Sequence, residues 1–170
     1  MSLVVREALP EEHARLGEIV VDAYRALGAL EGSGYAAELR DVARRAREAV
    51  ILVAVDDVAG MPLGCVTYVP GPDSPWAELL EPGEAAIRML AVDPAAQGRG
   101  AGTALVRACV DRARLDGKRR LVLHSRPMML QAQRIYHRLG FRRDEPRDWE
   151  PVPGVLLLAF ALDLEPPARG

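Results

Sequence analysis

Apolar residues near the start of the chain fall into two spacings. Leu3, Val4 and Val5 form a short strand-like run, whereas Leu16, Ile19, Val20, Ala23, Tyr24 and Leu27 recur three and four positions apart, which places them on one stripe of a helix. Pro10, Glu11 and Glu12 precede that stripe. Proline gives up no needed N–H in a first helical turn, and acids there face the positive end of the helix dipole. Gly32, Ser33 and Gly34 interrupt the pattern, and Tyr35, Leu39, Val42, Ala43 and Ala46 resume it as a second stripe.

From Val50 to Val55 the apolar run is continuous, β-branched and too short for a helix; Asp57 to Gly60 supply turn chemistry, and Leu63 to Val69 return antiparallel. Pro70 to Gly83 is predicted as a surface loop, and Ala85 to Val92 as a strand ended by Asp93 and Pro94. Ala101, Ala104, Leu105, Ala108 and Leu115 mark a helix that Gly117 ends. Leu121 to Ser125 follows as a strand, and Ala132, Ile135, Tyr136 and Leu139 as a helix whose left-handed cap is Gly140. Phe141 to Arg143 and Val155 to Leu164 are the closing strands. The expectation is a single α/β domain over residues 1–165 built on a mixed sheet, with a loose tail at 166–170.

Composition narrows the function classes. A chain of 170 residues buries roughly 70% of its unfolded surface and needs no disulfide or structural metal for a core. Acids and bases are interleaved, with a net charge of -2, so no basic block marks a nucleic-acid partner. Cys65 and Cys109 have no metal-ligand spacing and sit in apolar stretches as free thiols. The start, MSLVVREALP, lacks a signal-peptide pattern. The longest apolar run, Val155 to Leu162, is far short of the ~20 residues of a membrane helix. These features point to the cytoplasm, without membrane or metal.

The segment LAVDPAAQGRGAGTALV, Leu90 to Val106, runs from a strand through Gly98, Gly100 and Gly102 into a helix. Glycine permits positive φ and close approach of a ligand to the main chain. The first N–H groups of the helix are unpaired and sit at its positive end, which suits a phosphate or pyrophosphate; Arg99 and the Thr103 hydroxyl are further donors. Tight packing alone is the plainer reading of such glycines. A nucleotide loop fits less well. The Gly-Lys-Ser/Thr of a Walker loop is absent, and a GxGxxG pattern fails at Thr103 or Leu105.

The stretch Gln97-Gly98-Arg99-Gly100-Ala101-Gly102 resembles the Gln/Arg-x-x-Gly-x-Gly/Ala signature of the GNAT acetyltransferases, and the order of elements from Val4 to about Leu164 resembles that family too. The resemblance implies a mixed, mostly antiparallel sheet with helices on both faces and a splayed central parallel strand pair. Acetyl-CoA would be the co-substrate. Its pantetheine arm would run along the main chain of Leu90, Ala91 and Val92, opposite Leu121 to Ser125, with the pyrophosphate on Gln97, Gly98, Arg99, Gly100, Ala101, Gly102 and Thr103.

The segment from Met128 to Phe141 resembles the family's Asn-x-x-Ala-x-x-x-Tyr-x-x-x-Gly-Phe region at Ala132, Tyr136, Gly140 and Phe141, with Met129 where the asparagine belongs. By that resemblance Tyr136 is the general acid for the departing thiolate; a phenol with pKa near 10 keeps its proton at neutral pH. A lysine-like amine, with pKa about 10.4, must lose a proton before it attacks. Where many relatives place a glutamate base, this chain has Ala86. Glu84, two residues earlier and acting through water, and His124, whose imidazole titrates near 6.5, are the candidate bases, with solvent the third. His13 and His137 are read as exposed helix residues. Tyr24, Tyr35 and Trp76 are candidates for an acceptor pocket, or else packing residues, and Trp149 is read as loop packing.

The reading is an enzyme that moves acetyl from acetyl-CoA to a primary amine by direct attack on the thioester; a catalytically silent acyl-CoA-binding module is the alternative. The acceptor stays open between a small amine and a protein N-terminus or lysine, and a homodimer is among the arrangements the family allows.

Overall fold

The β-branched run at residues 50–55 can satisfy its backbone only by pairing on both sides, and it does so near one end of a seven-stranded sheet. The computed structural model describes residues 2–30 and 34–164. Most of the predicted break at Gly32 and Ser33, and the tail at 166–170, therefore lie outside the described residues. The strands are β1 (Leu3–Glu7), β2 (Val50–Asp56), β3 (Pro62–Val69), β4 (Glu84–Val92), β5 (Arg120–Ser125), β6 (Arg142–Arg143) and β7 (Leu158–Asp163). Their spatial order is β1-β2-β3-β4-β5-β7-β6. Every neighbouring pair is antiparallel except β4 and β5, which run parallel.

Alternation along the strands sends side chains to two separate cores. On one face α1 (His13–Ala26), α2 (Tyr35–Arg40) and α3 (Val42–Glu48) cover Val53, Cys65, Ala86 and Val122 with Leu16, Ile19, Val20 and Leu39. On the other, α4 (Ala101–Leu115) and α5 (Leu130–Arg138) bring Leu105, Val106, Cys109 and Tyr136 against Leu52, Val66, Leu121 and Leu123. Both cysteines are buried free thiols. Among the described residues, no helix is long and apolar enough to cross a membrane.

Three elements differ from the sequence expectation. Pro10–Glu12 is a turn of 3-10 helix ahead of α1 rather than its first α-turn. The second stripe is two helices, broken at Asp41, whose carboxylate accepts from the Arg44 N–H at 3.2 Å. The break is held from inside: buried Arg45 donates to the carbonyls of Glu38 (2.6 Å) and Leu39 (2.9 Å), the last carbonyls of α2. The final strand begins at Leu158 instead of Val155, because its partner β5 ends at Ser125, opposite Leu158.

One irregularity shapes the middle of the sheet. Cys65 pairs with Ala91 and Thr67 with Arg88, so Val66 alone faces both Met89 and Leu90. This is a β-bulge, and Met89 takes φ 55° to make it. A bulge bends its strand and raises its twist. The parallel pairing with β5 runs from Glu84–Arg120 to Ile87–Leu123 and stops there. Beyond that point the two strands diverge.

Below the divergence a buried carboxylate ties the sheet to the segment between β6 and β7. Glu84 is fully buried. It accepts a two-pronged contact from Arg147, 2.8 Å at each oxygen, another from the Glu81 N–H at 3.0 Å, and a longer one from Arg120 at 3.4 Å. Burial alone would raise its pKa, but the Arg147 and Glu81 hydrogen bonds and the charges of Arg147 and Arg120 together bring it below the ordinary value. Removing one partner of a buried pair leaves the other charge uncompensated. Arg147→Met should therefore cost about 3 kcal/mol in urea unfolding at pH 7. A group with a depressed folded pKa stabilises above its unfolded pKa, about 4.3 for glutamate, and that part is lost as pH falls through the folded value. The gap between wild type and variant should accordingly narrow below about pH 4; an equal gap at pH 7 and at pH 3 would contradict this role for the pair.

Candidate functional site

Past Ile87 and Leu123 the two strands leave unpaired edges facing each other. This opening leads into a cavity of about 480 Å³ on the α1 side of the sheet. Ala86 and Met89 of β4, His124 of β5, Tyr24 of α1, Tyr35 of α2 and Leu157 of the β6–β7 segment are among its walls. Trp76 lies beneath rather than on the wall: it is buried, with the guanidiniums of Arg44, Arg45 and Arg88 at 5.7, 5.8 and 5.6 Å from its ring.

At the other end of the diverging strand, β4 passes into the glycine loop. Asp93 caps a 3-10 turn over Pro94–Ala96 by accepting from the Ala95 N–H at 3.0 Å. Gly98 and Gly100 have φ of 81° and 83°, and a Cβ at either would meet nothing within 4 Å. Both glycines thus serve backbone conformation and leave the approach to the helix open. The Ala104 N–H donates to the Gly100 carbonyl at 3.0 Å, so the N–H groups of Ala101, Gly102 and Thr103 precede the first bond of α4.

Gly102 and Arg99 also hold the loop to its neighbours. A Cβ on Gly102 would stand 2.9 Å from Ile135 Cδ1 and 3.6 Å from Val92 Cγ2. Its smallness serves the contact of α4 with α5 and β4. Arg99 reaches back to Asp56 at the end of β2 and pins the loop to the β2–β3 turn. Asp56 is held at about 2, chiefly by the Ala59 N–H and then by Arg99. Leu90, Val92 and Thr103 are half-buried, Ala91 and Ala101 buried, and Gln97 exposed.

His124 is half-buried on the cavity wall. Its Nε2 lies 3.1 Å from the Arg147 carbonyl oxygen. A carbonyl can only accept, so Nε2 carries the proton and Nδ1 of the neutral ring keeps a lone pair. The Trp149 ring meets the imidazole edge-on at 6.3 Å. Burial pushes the His124 pKa below its ordinary 6.5, outweighing the opposing pull of the Arg147 carbonyl and nearby acids. Glu84 shares the Ala86 face of β4 by alternation, yet it is wholly engaged by Arg147 and absent from the cavity wall.

Tyr136 is buried in the core under α4, against Phe141 and Phe160 with ring centroids at 5.7 and 5.9 Å. Its hydroxyl makes no hydrogen bond among the described residues. Burial raises its pKa well above 10, and the Tyr24 phenol adds to the rise. His137 is exposed, with its ring 5.5 Å from Phe160, and His13 is half-buried.

Met129 occupies the N-cap position of α5 without a side-chain cap, as the missing asparagine implies. Gln133, one turn on, donates to the Arg126 carbonyl at 3.0 Å and Ser125 Oγ at 3.4 Å, joining α5 to the end of β5. Sequence reasoning missed Gln133, and it missed the charged wall residues Arg88, Arg126, Glu38 and Glu78. The spacing Val122, His124, Arg126, running from β5 into the residue just past its end, was a signal for one of them.

Comparison with known proteins agrees with this arrangement. The model of the acetyltransferase (GNAT) family matches residues 12–141. An uncharacterised N-acetyltransferase of Schizosaccharomyces pombe is 30% identical over 113 residues, 66% of this chain and 64% of that protein. A GCN5-related N-acetyltransferase from Kribbella flavida is 26% identical, with a TM-score of 0.70 over 95% of this chain and 98% of its own. The Salmonella typhimurium protein yncA, whose structure holds its cofactor acetyl-CoA, is 20% identical with a TM-score of 0.69 over 100% of this chain and 98% of its own. The seven-stranded sheet with its parallel β4–β5 pair is the fold these structures share, and with the family match over residues 12–141 the chain belongs to the acetyltransferase (GNAT) family.

Proposed function

We propose that the protein transfers an acetyl group from acetyl-CoA to a primary amine, by direct attack of the amine on the thioester, in the cytoplasm. The observation that carries this reading is the single opening at the end of the β4–β5 pairing, which has the glycine loop at one end and the His124-lined cavity at the other. Acetyl-CoA supplies an activated acetyl thioester. The freed backbone edge of Leu90, Ala91 and Val92 suits a pantetheine arm, and the N–H groups of Ala101, Gly102 and Thr103 beside the open Gly98 and Gly100 suit a pyrophosphate. That the Salmonella protein of the same fold holds acetyl-CoA supports the choice of acyl donor.

The cavity receives the acceptor. His124 is the base: its Nδ1 lone pair takes the proton that a protonated amine must lose, and its depressed pKa keeps the ring neutral at physiological pH. Tyr136 is the acid. Its raised pKa keeps the proton on the hydroxyl until the thiolate leaves. Ala86, where the family resemblance implies a glutamate, favours the second reading, a silent binding module, because nothing at that position can take a proton. Turnover decides between them.

The test is thiol release from acetyl-CoA with a panel of amines. kcat/KM should rise with pH through an inflection below 6.5 and level off as His124 loses its proton. His124→Ala should remove that inflection and lower kcat/KM by about 10²- to 10⁴-fold; an unchanged profile would return the base to solvent. Tyr136→Phe keeps the ring and its packing, so kcat should fall by about 10²-fold or more with the melting temperature near wild type. Full wild-type turnover by that variant, with chemistry rate-limiting, would make Tyr136 a core residue only. CoA binding without turnover of any amine would favour the silent module.

A further inference from the structure

The charges on the cavity wall do not cancel pairwise. Arg88, Arg126, Glu38 and Glu78 line it. Arg88 and Glu78 form an ion pair at 2.8 Å, and Arg88 also donates to the Tyr35 hydroxyl and the Trp76 carbonyl. Arg126 has no carboxylate partner among the described residues. Among those residues its guanidinium makes one hydrogen bond, from Nη1 to the Ala29 carbonyl at 2.9 Å, and its Nε is buried with no partner there. The cavity thus holds a half-buried cation whose fork of N–H groups is mostly unused.

Arg126 is held through both its backbone and its side chain. Its carbonyl accepts from the Met129 N–H at 3.0 Å and from Gln133 Nε2 at 3.0 Å, so the first turn of α5 pins its backbone. The bond to Ala29 ties its side chain to the segment after α1. Arg126 directly follows β5, and His124, two residues earlier near the end of that strand, lines the same cavity. Two residues of chain span at most about 7 Å, so their backbones are close together on one wall. A small molecule in the cavity can therefore reach both.

We infer that the acceptor is a small amine that also bears a carboxylate, the class of free amino acids, and that Arg126 is its specificity residue. A guanidinium matches a carboxylate in a planar two-pronged contact that an ammonium or amide cannot replace. The carboxylate neutralises the one wall cation left without an acid, while the amino group lies toward His124. An acceptor lacking the carboxylate leaves Arg126 buried further and still unpaired, which disfavours it. This inference rests on the acetyltransferase reading above and adds the chemistry of the acceptor.

The experiment measures kcat/KM for acetylation of the standard L-amino acids, β-alanine and 4-aminobutyrate, each against its own carboxamide. The free acid should be preferred for the accepted side chain by about 100-fold, the scale of a lost charge-assisted contact. Arg126→Gln should bring that ratio to within a few-fold of one, and Arg126→Lys should restore part of it, since the charge returns without the fork. Calorimetric titration of the same acids into the CoA-bound protein gives a readout that needs no turnover. Amides used as well as acids, or a ratio unmoved in Arg126→Gln, would overturn the inference while leaving acetyl transfer intact. So would acids that neither bind nor react while carboxylate-free amines do. Acids that bind through Arg126 without any thiol release would uphold it and overturn the acetyltransferase reading instead.

Discussion

The site depends on where β4 stops pairing with β5. Two parallel strands in register would close the sheet and leave their backbone groups satisfied by each other. In this chain one extra residue at Met89–Leu90, opposite Val66, bends β4 away just as the pairing reaches Ile87 and Leu123. Positive φ at a methionine is uncommon and costs energy. The buried side chains on both faces, Met89 among them, hold it in place. The divergence exposes a strip of main chain, opens the way between the two cores and aims the glycine loop at one end of the gap.

A second constraint keeps the acceptor side of the gap in shape. The β6–β7 segment carries wall residues such as Val155 and Leu157; its Trp149–Leu157 bridge closes it on itself, and it is tied to the sheet by Arg147 on Glu84 and by Asp148, which accepts from Arg143 and from the Ala159 N–H. The buried Glu84–Arg147 contact anchors that segment, and the carbonyl of the same arginine sets the tautomer of His124. Glu84 thereby bears on the imidazole without touching the cavity. That is a different part from the water-relayed base its spacing from Ala86 suggested.

Much of the fold was legible because its two periods are clean. The strand runs, the α1 stripe, the helix after the glycines and the left-handed turn at Gly140, with φ 96°, all follow from spacing and turn chemistry. The loop context and the Tyr136 region carried the family resemblance. What escaped was set by contacts far apart in sequence. The stripe from Tyr35 to Ala46 reads as one helix because both α2 and α3 pack on α1; only the buried Arg45 and the Asp41 cap reveal the break. Arg99 reads in sequence as a phosphate donor, and its ion pair with Asp56, 43 positions away, has no local signature. The cavity wall collects residues from α1, α2, β4, β5 and the last loop, and no local pattern marks such a set.

The central claim is that the diverging strands and the glycine loop form one continuous cofactor groove. Titrating CoA into uniformly ¹⁵N-labelled protein and following the amide resonances tests it most directly. The account predicts that Leu90, Ala91 and Val92 shift together with Gly98, Gly100, Ala101, Gly102 and Thr103, along a single binding curve, while the amides of β1 and β2 stay in place. Shifts confined to another surface, with the resonances of these eight residues unmoved at saturation, would contradict it.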